Sequence, residues 1–142
     1  MIRRFTAAAL TLAAAAGLAA CGSATPADGL QVGQCFTEEA LGAGVEVTEI
    51  ETVECTQPHE HEVYATPALE FDAWPGEGQI NTAALEACIA EFEGYVGSPY
   101  ETSTVFAWAL LPSEEGWASG DTSAACIAET ETRSSSVEGS GE

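Results

Sequence analysis

His59-Glu60-His61-Glu62 is the one local cluster in this chain of residue types that ligate metals or carry protons. On an extended segment His59 and His61 point to one side and Glu60 and Glu62 to the other, because side chains alternate along a strand. Two imidazoles can begin a zinc or copper site. The chain has only 2 histidines, however, so a closed site needs a carboxylate from elsewhere. The structural alternative is that an imidazole placed just after the Pro58 turn bonds backbone groups that have no ladder partner. We adopt that reading, with no metal and no cofactor expected. A metal-binding or enzymatic role for the His59/His61 region is the alternative.

Other catalytic patterns are missing from the sequence. There is no Gly-x-Ser-x-Gly, no glycine loop that cradles phosphate ahead of a helix, and no Asp-x-Asp-x-Asp-Gly calcium loop. The 23 acidic residues make many chance carboxylate pairs, and sequence alone singles out none at glycosidase spacing. A noncatalytic domain is the expectation. The chain has no lysine, which argues against a nucleic-acid partner, since affinity for a phosphate backbone comes mainly from Lys and Arg, and none is expected.

Leu18-Ala19-Ala20-Cys21 closes a short Ala/Leu-rich stretch that opens with Arg3-Arg4. Basic start, short apolar run and small residues before a cysteine read as a lipoprotein signal peptide, residues 1–20. Cleavage leaves Cys21 as the N-terminus, its thiol carrying a diacylglyceryl group that tethers the domain to the extracytoplasmic face of the cell membrane. Arg133 then stands alone against 23 acids. Residues 21–29 read as a linker on which the acidic domain stands away from anionic headgroups.

Export sends the other four cysteines, Cys35, Cys55, Cys88 and Cys126, into an oxidising compartment, where two disulfides are the default. Of three connectivities, Cys35 with Cys55 and Cys88 with Cys126 ties neighbouring elements without crossing. The chain-entropy estimate makes these loops worth about 3 and 4 kcal/mol.

The elements that must position these residues follow from periodicity. Val32 to Phe36 reads as an opening extended segment, Val45 to Val53 as a half-buried strand, and Glu62 to Thr66 as a strand ended by Pro67. From Asn81, read as the N-cap, apolar residues at Ala84, Leu85, Cys88, Ile89, Phe92, Tyr95 and Val96 predict an amphipathic helix stopped by Gly94 or Gly97. Thr104 to Leu111 and Ser123 to Thr130 predict an antiparallel hairpin across a turn-rich loop carrying Trp117. The fold class is therefore α+β, a small antiparallel sheet packed on one amphipathic helix and stapled by two disulfides. Residues 30–131 form the domain, and 132–142, almost without apolar residues, are expected to be disordered. Trp74 and Trp117 read as rings that plug loops onto the sheet, or as platforms for a glycan or protein partner; Trp108 reads as core.

The ordered series Gly33-x-Cys35-Phe36, Val53-x-Cys55-x-x-Pro58-His59-x-x-Glu62-Val63, Trp74-Pro75-Gly76, Cys88, Phe92, Tyr95-Val96-Gly97, Pro112, Trp117-x-x-Gly120-Asp121 and Cys126 closely resembles the actinobacterial septum formation family over residues 29 to 129. Two departures are Thr122, where members often carry a basic residue, and His61, where a small or acidic residue is common. The resemblance implies involvement in the division septum, with an envelope protein or cell-wall component as partner. Its polar and aromatic residues concentrate at His59, Glu62, Trp117 and Asp121, which form the candidate binding face.

Overall fold

The computed structural model describes residues 23–42 and 47–142. Cys21 and the signal segment, on which the lipidation reading rests, lie outside the described residues. Six strands form one antiparallel sheet: β1 (Ser23–Pro26), β2 (Cys35–Phe36), β3 (Glu49–Val53), β4 (His59–Ala65), β5 (Phe106–Leu110) and β6 (Ala125–Arg133), in the order β1-β3-β2-β4-β6-β5. The 20-residue helix α1 (Glu77–Val96) packs on β4, β5 and β6. A second helix, α2 (Glu114–Ser119), lies in the connection between β5 and β6. The α+β class and both disulfides are as the sequence predicts.

Helix α1 buries Ile80, Ala84, Cys88, Phe92 and Val96, a run at four-residue steps that lies on one face. It starts four residues ahead of the Asn81 expected as its cap, after Gly76 at φ +92°, and Glu77 complements the helix dipole in its first turn. It passes Gly94 and stops at Gly97, whose left-handed conformation (φ +90°) aims its N–H at the Glu93 carbonyl, 2.9 Å away. The predicted hairpin is present, with Trp108 opposite Ile127. Its connection is helical because Ser113 Oγ caps the Gly116 N–H at 3.0 Å and Gly120 closes the C-terminus in the left-handed region.

The sheet is buried on both faces. Toward α1, Tyr64, Phe92, Val96, Val105 and the Cys88–Cys126 disulfide form one cluster. Phe36, Ile50, Val63 and Ile127 pack on the far side with Leu30 and Leu41. A third cluster joins Ile80 and Ala84 to Leu69, Trp74 and Trp117.

Two boundaries differ from expectation. Within the span expected as a linker, Ser23–Pro26 is strand β1, paired to β3 from Ser23 opposite Thr52 to Pro26 opposite Glu49. The tail expected to be disordered is docked. β6 runs on to Arg133, Val137 is 1% exposed within the helix-side core, and the N–H groups of Gly139 and Gly141 each donate 2.8 Å bonds to the carbonyls of Tyr95 and Val96. Ser98 and Ser103 donate to the Glu142 carbonyl, and Arg133 Nη1 reaches the Glu142 carboxylate at 2.6 Å. The composition argument fails because the tail relies on polar bonds to distant elements and on one apolar anchor.

Candidate functional site

Strand β4 carries the polar cluster at the centre of the sheet, where polar groups are costly unless paired. His59, His61 and Glu62 are each 1% exposed. The register of β4 against β6 shifts between His59 and His61, which lie opposite Arg133 and Glu129. That irregularity breaks the period of two. The two imidazoles consequently do not share a side, contrary to the expectation from simple alternation.

His61 faces the far-side core. Its ring stacks on Phe36 at 5.0 Å, meets Trp108 edge-on at 5.8 Å, and its Nε2 bonds the exposed Glu38 carboxylate at 2.7 Å. Glu62 faces the helix side, level with Cys35, its cross-strand partner. Its Oε1 accepts from Tyr95 Oη at 2.7 Å and Ser136 Oγ at 2.5 Å, and its Oε2 accepts from the Val137 N–H at 2.8 Å. A buried carboxylate with three donors is a structural anchor, and what it anchors is the C-terminal segment. Burial, then the bond to Glu62, pushes the Tyr95 phenol above its ordinary pKa. Glu60 lies at the surface between Thr132 Oγ1, 2.6 Å away, and the Glu38 N–H, bonds that hold its carboxyl below the usual range.

His59 joins Glu62 instead. One ring nitrogen of His59, a Glu62 oxygen and the sulfurs of Cys35 and Cys55 all lie within 4.8 Å of one another. Nδ1 of His59 bonds the Gln57 carbonyl at 2.8 Å, which fulfils the backbone-bonding role read from the sequence. Its Nε2 is buried without a partner among the described residues.

Trp117 and Asp121 stand at the other end of β4, near the bridge between Ala68 and Ser123. Trp117 meets Trp74 at 6.0 Å and Phe71 at 6.3 Å, closing the loop before α1 onto the core. Asp121, half-buried, lines a shallow groove with Asp28, Leu110, Ser113, Gly116 and Ser123. Burial first, with Asp28 adding repulsion, raises its carboxyl pKa. The four residues expected to form one binding face thus occupy two separate places. The sequence reading did not pick out Ser136 and Val137 as partners of Glu62; the one signal was a lone β-branched residue in a Ser/Gly-rich run.

What this fold and its buried polar residues define is a disulfide-stapled α+β domain with a C-terminal strap locked by a core carboxylate. Residues 23–141 match the family model described as septum formation, and the chain belongs to that family. The match takes in β1 and the docked tail as well as the central domain. No curated protein and no solved structure matches the chain.

Proposed function

We propose that this chain is a noncatalytic binding domain, tethered through a lipid on Cys21 to the extracytoplasmic face of the cell membrane, that engages an envelope protein or cell-wall component during septum formation or envelope growth. The observation that carries the reading is the match of residues 23–141 to the septum formation family, and the Glu62 carboxylate, 1% exposed with three internal donors, is assigned to the scaffold. Glu62 and Trp117 serve the scaffold. Asp121 is half-buried at its groove, whereas the His59 and Glu62 side chains are enclosed, and a partner is sought at Asp121. Divergence of the His59 and His61 rings removes the basis for a site built on that pair.

The test is crosslinking in intact cells with identification of the captured partner, comparing the parent with Asp121→Lys and Cys21→Ala. Asp121→Lys is expected to lower crosslinking and septal localisation per folded molecule, and Cys21→Ala to move the protein out of the membrane fraction. Undiminished crosslinking by folded Asp121→Lys would place the binding surface elsewhere. An unchanged membrane fraction for Cys21→Ala would remove the tether.

A further inference from the structure

The corner where β2, the β3–β4 turn and β4 meet gathers more ligand chemistry than the proposed binding role uses. We propose that reduction of the Cys35–Cys55 disulfide turns this corner into a closed zinc site with Cys35 Sγ, Cys55 Sγ, His59 Nε2 and a Glu62 carboxylate oxygen as its ligands. Four potential ligand atoms lie within 4.8 Å of one another. Tetrahedral zinc, with bonds of about 2.0–2.3 Å, sets its ligands about 3.3–3.8 Å apart, so the largest movement is the parting of the sulfurs. Cys55 can supply that movement. It sits partly exposed in the turn closed by the Gln57 N–H on the Glu54 carbonyl, whereas Cys35 is fully buried in β2.

His59 is the independent pointer to a ligand. Its ring is 1% exposed, and Nε2 has no partner among the described residues. With Nδ1–H donating to the Gln57 carbonyl at 2.8 Å, Nε2 keeps a free lone pair. Metal-bound imidazoles are oriented in this way, through the second nitrogen on a backbone carbonyl. Glu62 is held similarly: Tyr95 and Ser136 occupy Oε1, and Oε2 bonds only the Val137 N–H, which leaves a lone pair for the metal.

The disulfide form has no thiolates and is a poor ligand set. Conversion needs two electrons from an extracytoplasmic dithiol reductant. The S–S bond breaks, Cys35 and Cys55 become thiols, and the reductant leaves as its own disulfide. Zinc then forms two Zn–S bonds as the two thiol protons pass to solvent, while His59 binds neutral. With four protein ligands the site has no open position for substrate, so it is a redox-gated structural staple that replaces one covalent link by another.

The test uses the full chain carrying Cys21→Ser, so that a fifth thiol cannot contribute, treated with a phosphine reductant and titrated with cobalt(II) as the probe and zinc(II) as competitor. The expected result is one tetrahedral cobalt per chain with thiolate charge-transfer absorption, displaced by zinc. Peptide mapping should show Cys35 and Cys55 shielded from alkylation by metal. The unreduced protein should bind none. His59→Asn should weaken zinc by more than about 100-fold, beyond the range typical of outer-shell changes, and His61→Asn should leave it unchanged. Circular dichroism of the oxidised variants checks folding, and the comparison of oxidised with reduced parent needs no variant. Absence of stoichiometric cobalt, shielding of Cys88 and Cys126 instead, a His59→Asn affinity equal to the parent, or a reduced chain that unfolds and is not restored by zinc would each overturn the proposal.

Discussion

Glu62→Ala tests whether the C-terminal segment belongs to the fold. The substitution removes the acceptor for Tyr95 Oη, Ser136 Oγ and the Val137 N–H. Ser136 and Tyr95 are only half-buried and can turn to water, but the buried Val137 N–H is left unpaired, at about 1–3 kcal/mol. At about 4 °C per kcal/mol for a domain of this size, the melting temperature should fall by about 8 °C. Deleting residues 134–142 should cost a comparable amount, since Val137 leaves the core and Glu62 keeps only Tyr95. The two losses share the Ser136 and Val137 bonds, so the double variant should be less destabilised than their sum by about 1 kcal/mol or more. Calorimetric or circular-dichroism melts of the oxidised protein at neutral pH read all three. A deletion that shifts stability by less than about 0.5 kcal/mol, the range of an ordinary surface change, would refute the anchor and return the tail to solvent.

Replacing Cys88 and Cys126 together by alanine should cost about 4 kcal/mol by loop entropy, more than the about 3 kcal/mol for Cys35 and Cys55, and denaturant melts of the two variants give the order. Asp121→Asn should raise the melting temperature at neutral pH. The folded carboxyl has a pKa raised above its ordinary 3.8, so its ionised form weighs against the fold at higher pH, and the gain should vanish as the pH falls below about 4; a pH series of melts with a pH-independent gain would contradict this.

Sequence patterns revealed what short-range chemistry governs. The buried face of α1 was visible because Ala84, Cys88, Phe92 and Val96 repeat at helical spacing, and the disulfide pairing because joining cysteines near in sequence ties neighbouring elements without crossing. Helix α2 was hidden by its six-residue length and Gly116, features of a loop until the Ser113 cap and the packing of Trp117 are known. The tail was hidden for a different reason. Val137 is its lone core residue, and the bond that fixes it comes from Glu62, 75 positions away in sequence. The parting of His59 from His61 was equally out of reach, since it depends on how β4 registers against Arg133 and Glu129 of β6.

Strand β1 has a consequence for reach. Ser23, its first residue, lies two positions after Cys21, and two residues of chain span at most about 7 Å. With Cys21 acylated, the lipid is fastened close to one margin of the sheet in place of a flexible leash. β1 and β5 are opposite margins, and five inter-strand spacings of about 4.8 Å put them about 24 Å apart. Under the proposed tether the domain would pivot on its anchor without travelling, and even the exposed Phe106 on β5 would stay within about 30 Å of the bilayer. A partner would then have to come into that thin zone above the headgroups, whose depth would be set by the width of the folded sheet, a quantity that does not drift with linker length.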